Sequence, residues 1–189
     1  MEDTDSYSKP DPRIHRGVPE LLADKGFSPD AISALLGLDV ALFQWRRIAE
    51  KGDFKGKVLD GIEEKLEPAL LQGLLSIAQI SAGIGRPEPQ DPTIGMVADL
   101  MAVDPSRASR IVSGLVERGF VERRVVQEDA RKSILVMTPK SHKFLGDFTA
   151  QKWRILSGVF EGWDEEELRI FSSLFIRYVT ALSAQVTPD

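Results

Sequence analysis

The stretch VDPSRASRIVSGLVERGFVERRVV, residues 103–126, constrains the fold more than any other part of the chain. Asp104 can cap a helix, Pro105 stands where its missing N–H costs nothing, and Ala108, Ile111, Val112 and Leu115 follow at i, i+3, i+4 and i+7. Gly119 supplies a left-handed stop. Beyond it, FVERRVV and SILVMT read as two strands joined by the charged loop QEDARK, a hairpin with a polar tip. Ahead of it, TIGMVADLMA, residues 93–102, reads as a short helix capped by Thr93, with Ile94, Val97, Ala98 and Met101 on one face. Short helix, tight turn, capped helix and hairpin form the order of a winged helix-turn-helix. In that arrangement the second helix enters a DNA major groove and the hairpin reaches toward the backbone or the minor groove.

The residue types fit the arrangement. With the apolar stripe of the capped helix facing a core, Ser106, Arg107, Ser109, Arg110 and Ser113 share the opposite arc. Short hydroxyls approach phosphates closely, and guanidiniums bond guanine O6 and N7 in pairs. An Arg/Ser arc on one amphipathic helix is also an ordinary solvated face, so the hairpin decides the balance: Arg123 and Arg124 lie on its first strand, and Arg131 and Lys132 lie at its tip. Asp129 either orients Arg131 by a salt bridge or bonds its own backbone as a turn residue. Between Asp104 and Lys143 there are nine basic and five acidic side chains, in a chain of net charge −5. A basic middle in an acidic frame presents one face to a polyanion.

The rest of the chain reads as helix. SPDAISALLGLDVALFQWRRIAEK places Ser28 as an N-cap and predicts a helix over 29–51 ending at Gly52. A second helix is expected near 57–82, with Pro68 as the place where it can break. AGIGRPEPQDP then reads as a connector, since its GIG lacks both a preceding strand and the further glycine of a phosphate loop. Thr138 and Pro139 open a long apolar helix interrupted at Gly162, and Asp164 with Glu167 makes a capping box for the last one. The fold class is therefore mainly α with a small β-hairpin wing: a winged helix-turn-helix lobe over 67–138, plus a helical dimerisation region over 28–66 and 139–185. Residues 1–27 are expected to be a flexible N-terminal arm, polar and without the apolar core of a secretory signal. The aromatic stripes of residues 144–182 exceed what one small lobe can bury. They either pack against a second copy or complete the monomer's own core.

Several function classes are disfavoured. No apolar run approaches the roughly 18 residues that span a bilayer. The absence of cysteine removes disulfides, thiolate metal sites and a Cys nucleophile, and fits a cytoplasmic protein. His15 and His142 form no metal or acid/base spacing, so no catalytic residue, metal ligand or cofactor is expected and the chain does not read as an enzyme. The rival to DNA reading is a winged helix used only for protein contacts, a use that typically loses the cationic face kept here.

TIGMVADLMAVDPSRASRIVSGLVERGFVERRVVQEDARKSILVMTPKSHKFL resembles the core of the MarR family of bacterial transcription regulators. The VDPS turn, the LVERGFVERR passage, the wing motif at Asp129 and Arg131, and the MTPKS start of the next helix carry the resemblance. Ser141 departs from it, standing where the family usually has Gly. The resemblance implies a homodimer built by the N-terminal helix and the two C-terminal helices, gripping a pseudo-palindromic operator in double-stranded DNA. It also implies release by a small, often aromatic effector. Phe43 and Trp45 could line such a pocket, although a core or dimer-interface role is the better reading of each. Repression is favoured over activation because it needs only occupancy of a promoter.

Overall fold

The computed structural model describes residues 14–85, 87–126 and 129–186. Two compact units divide the chain, Met1–Asp60 and Gly61–Asp189.

In the first unit, α1 (Val18–Asp24) packs on α2 (Pro29–Lys51), which also contacts α3 (Asp53–Asp60). Ser28 caps α2 by accepting from the Ala31 N–H at 3.3 Å, and Gly52 ends it at φ +74°. The expected arm, 1–27, thus contains a helix over 18–24, and its first 13 residues lie outside the described ones. Just before α1, His15 is buried and its Nε2 lies 3.0 Å from Asp39 Oδ2.

The second unit begins with an extended segment. The long helix expected near 57–82 is two helices: α3 stops at Asp60, and α4 runs Pro68–Ala82. Pro68 is the physical reason. Its ring excludes the helical region for the residue before it, and Glu67 sits at φ −61°, ψ 147°, so the proline starts a helix and does not merely bend one. Between the two, Ile62 and Leu66 are buried, so this connection is anchored by its own apolar side chains.

After α4 come α5 (Ile94–Met101), α6 (Pro105–Glu117), β1 (Val121–Val126), β2 (Asp129–Met137), α7 (Pro139–Val159) and α8 (Glu165–Val186). The two strands pair antiparallel, from Val121 opposite Met137 to Val125 opposite Ser133, with a register shift between Val125 and Val126. Leu135 N–H also donates to Pro92 O at 2.8 Å, which ties the hairpin to the chain entering α5.

The core is the meeting of α4, α5 and α6. Leu71, Leu74, Ile77 and Ile80 of α4 are buried against Val97 and Ala98 of α5 and Ala108, Ile111, Val112 and Leu115 of α6. Close approach is set by glycine: a Cβ on Gly73 would stand 2.5 Å from Ile111 Cγ2, and one on Gly114 would stand 3.0 Å from Leu70 Cδ2. Phe120, Phe144 and Phe148 extend the core toward α7, with Phe120 and Phe144 edge to face at 5.6 Å. Burial stops there. In α8 no residue is buried, although Phe171, Leu174, Phe175, Tyr178 and Leu182 are all large and apolar.

Candidate nucleic-acid interface

The helix that carries the cations is fixed at both ends. At its start Asp104 Oδ1 accepts from the Arg107 N–H at 2.8 Å and from the Ser106 hydroxyl. At its end Gly119, at φ +75°, lets its own N–H reach Val116 O at 2.9 Å and the Phe120 N–H reach Leu115 O at 2.9 Å. That pair of bonds is a Schellman stop, and its apolar companions Leu115 and Phe120 are fully buried. With Ala108, Ile111, Val112 and Leu115 pointing inward, helical geometry leaves the opposite arc for solvent.

On that arc Ser106, Arg107 and Arg110 are exposed, and Ser109 and Ser113 are half-buried. Among the described residues neither the Arg107 nor the Arg110 side chain makes a hydrogen bond or ion pair, so both guanidiniums keep their donors for something else. Ser106 is less free, because its hydroxyl already donates to Asp104. That bond first, and the Arg107 N–H second, hold the Asp104 carboxyl below its usual value of 3.8. A carboxyl lowered on folding stabilises the fold above its unfolded pKa, and the contribution disappears as pH falls through the folded value. Asp104→Ala should therefore melt earlier than the parent at neutral pH, with the gap narrowing below about pH 3.8. Thermal melts across pH check this, and a gap that stays constant down to pH 3 would assign the loss to something other than the ionised cap.

The hairpin separates two residues that adjoin in sequence. Successive strand residues point to opposite faces. Arg123, opposite Leu135, shares the face of buried Val121 and donates to Ser113 Oγ at 2.9 Å, linking β1 to α6. Arg124 lies on the other face and pairs with Glu122 at 3.2 Å. The two are therefore not one cationic patch. The backbone of 129–132 belongs to β2, whereas the side chains of Asp129, Arg131 and Lys132 lie outside the described residues. Phe43 and Trp45 stand exposed on α2, at 55% and 62%, with the Arg46 guanidinium 5.4 Å from the Phe43 ring centre.

A third set of residues reads in the sequence only as the start of a helix. Thr138, Lys140 and Ser141 in the first turn of α7 meet the chain as it leaves α6. Ser141 is fully buried and its hydroxyl donates to Phe120 O, a larger part than starting a helix. Lys140 donates to Arg118 O at 3.1 Å, lies 4.5 Å from the Phe120 ring centre, and pairs with Glu64 at 3.2 Å. Beside this junction a cleft of about 360 Å³ is lined by Glu63, Glu64, Lys140, Lys143, Phe144 and Asp147. Among the described residues no cluster of His, Cys, Asp or Glu could hold a metal ion, and no helix is long and apolar enough to cross a membrane.

Comparison with known proteins agrees with this geometry. Residues 84–132, which span α5, α6, β1 and the start of β2, match a family model described as MarR family. Among solved structures, a MarR family protein from Bacillus stearothermophilus superposes with a TM-score of 0.62 at 17% identity, covering 79% of this chain and 96% of that one. A MarR-like transcriptional regulator from Thermotoga maritima gives 0.55 at 23% identity, over 77% and 96% of the two chains. MepR of S. aureus bound to ethidium bromide gives 0.50 at 17%, over 74% and 94%. No match was found among curated protein sequences. The chain is thus similar to the MarR family over residues 84–132, and the fold around that segment is the one seen in these solved structures.

Proposed function

We propose that the protein is a sequence-specific, double-stranded DNA-binding transcriptional regulator that works as a homodimer and represses by occupying a pseudo-palindromic operator. The observation that carries this reading is the pair Arg107 and Arg110: two exposed guanidiniums without a partner among the described residues, on the outer arc of a helix whose inner arc is buried. The fold supports it, because in a winged helix-turn-helix this arc is the one that enters the major groove. Ser109 and Ser113 flank the cations, Arg123 steadies Ser113, and the wing residues Asp129, Arg131 and Lys132 are assigned to the flanking backbone or minor groove. Dimerisation is supported by α8, in which none of the apolar side chains is buried by the described residues. Two-fold symmetry would then set the recognition helices about 34 Å apart, one turn of DNA.

Release by a small molecule is the effector part of the proposal. The S. aureus MepR structure holds ethidium, an aromatic cation. Here Phe43 and Trp45 are the aromatic side chains offered for a ligand of that kind. No catalytic step is assigned to the protein, and no metal or organic cofactor is needed for the proposed activity.

The test begins with selection of bound duplexes from a random pool and measures affinity for the selected site by fluorescence anisotropy. Arg110→Ala is expected to weaken that binding by about 1–3 kcal/mol and to relax preference at one base position. A variant that binds the selected site like the parent, at the same salt dependence, would remove this arc from the reading surface. A parent that selects no duplex would favour a winged helix used for protein contacts.

A further inference from the structure

We infer that the first turn of α7 positions the recognition helix, with Lys140 and Ser141 as positioning residues, an inference that rests on the DNA-reading function proposed above. Three consecutive carbonyls leave α6, and all three are held by that one turn. Arg118 O accepts from Lys140 Nζ at 3.1 Å. Gly119 O accepts from Thr138 Oγ1 at 2.7 Å. Phe120 O accepts from the Thr138 N–H at 3.0 Å and from the Ser141 hydroxyl. Thr138 is also the N-cap of α7, since its Oγ1 accepts from the Ser141 N–H at 3.3 Å. The C-terminus of one helix is thus fastened to the N-terminus of the next, ends of opposite partial charge.

The fastening is reinforced from the segment that opens the second unit. Glu64 pairs with Lys140 at 3.2 Å, Glu67 pairs with Arg118 at 3.1 Å, and Arg118 also donates to Lys65 O at 3.5 Å. Exposed ion pairs of this sort contribute little singly. The larger effect comes from the buried end of the turn, where Ser141 is fully enclosed: without its hydroxyl, Phe120 O keeps Thr138 as a donor but loses a second, buried one. Because the three donors belong to one helical turn, they move together. A tilt of α7 must either carry the end of α6 with it or break several bonds at once. α7 is also the helix that leads into the uncovered apolar face of α8. It joins the surface proposed for pairing to the surface proposed for reading. Ser141 adds to that joint a hydroxyl that a glycine would not provide.

The experiment uses the full chain, its selected duplex and two variants, Lys140→Met and Ser141→Ala. Each is expected to weaken specific binding by about tenfold, the fold-change of one hydrogen bond to a charged or buried group, with the slope of log K against log salt unchanged. Lys140→Arg, which keeps a donor for Arg118 O, should restore the parent affinity. Independently of DNA, amide exchange at Gly119 and Phe120 should quicken in both variants while the α4 core amides keep their protection. Ser141→Ala removes only a hydroxyl and serves if Lys140→Met fails to fold. Unchanged exchange at Gly119 and Phe120 would overturn the positioning role. So would a Lys140→Met slope lowered by about one charge, which would make Lys140 a phosphate contact. Faster exchange in the variants, together with a parent that selects no duplex, would overturn the DNA reading, and with it any positioning for DNA, while leaving the fastening itself in place.

Discussion

Leu182→Asp, alone or combined with Leu174→Asp, is expected to halve the particle size in solution and to weaken operator binding by about 100- to 10 000-fold. Leu174 and Leu182 are 49% and 48% exposed in the single chain, on a 22-residue helix in which nothing is buried. Their apolar neighbours Phe171, Phe175 and Tyr178 follow each other at 5.7 and 6.5 Å between ring centres. A contiguous face of that size is seldom left in water, and the proposed association of two copies would cover it. An aspartate inside such an interface leaves a charge without water or partner, a penalty that the pair avoids by separating. Each half then holds one half-site only, and the gain from simultaneous engagement disappears. Gel filtration with light scattering provides the check: the parent should run at twice the 21.0 kDa chain mass and the variant at the chain mass. A parent that is monomeric at micromolar concentration would refute the pairing of α8.

Phe120→Ala is expected to cost about 3–5 kcal/mol of folding stability, the range for removing a buried aromatic ring. Phe120 is fully buried, lies edge to face with Phe144 at 5.6 Å, and carries the Lys140 ammonium 4.5 Å above its ring. Its backbone closes the Schellman stop of α6 and accepts from α7. Loss of the ring therefore opens a cavity where α6, the hairpin and α7 meet, with little freedom for the surroundings to collapse. Denaturant unfolding of parent and variant measures the difference. A loss below about 1 kcal/mol would show that the junction relaxes around the gap and is softer than the packing implies.

The lobe that carries the arginines was legible in the sequence for local reasons. Asp104, Pro105 and Gly119 act within a turn of their own positions, so the bounds of α6 can be read from them directly. The same holds for Ser28 and Gly52 around α2, and for the Asp164 and Glu167 box, where the two residues exchange backbone bonds at 2.9 and 2.8 Å. Features that depend on distant partners could not be read so easily. α1 starts after Gly17, at φ +79° and without a side-chain cap, so only Pro19 and Glu20 marked its first turn. Arg123 and Arg124 look like one basic pair until strand geometry sends them to opposite faces. Ser141 looks like an ordinary residue of a first turn until a carbonyl 21 positions away comes to rest on it. The apolar stripe of α8 was visible as a pattern, yet whether it is covered is a property of three-dimensional packing.

The turn between the two helices of the reading lobe bears on how any signal could reach DNA. Only three residues separate Met101 from Pro105, and each is committed. Ala102 is held left-handed at φ 51°, ψ 47°, Val103 N–H closes back on Ala98 O at 3.0 Å, and Asp104 is already the cap of the next helix. A residue with a Cβ adopts that conformation only at a cost of about 1–2 kcal/mol, which the surrounding bonds and packing offset. Re-aiming α5 against α6 would break those bonds together with the packing between the two helices. A signal that moved them at lower cost would carry the two helices together, by way of the segments attached to their outer ends.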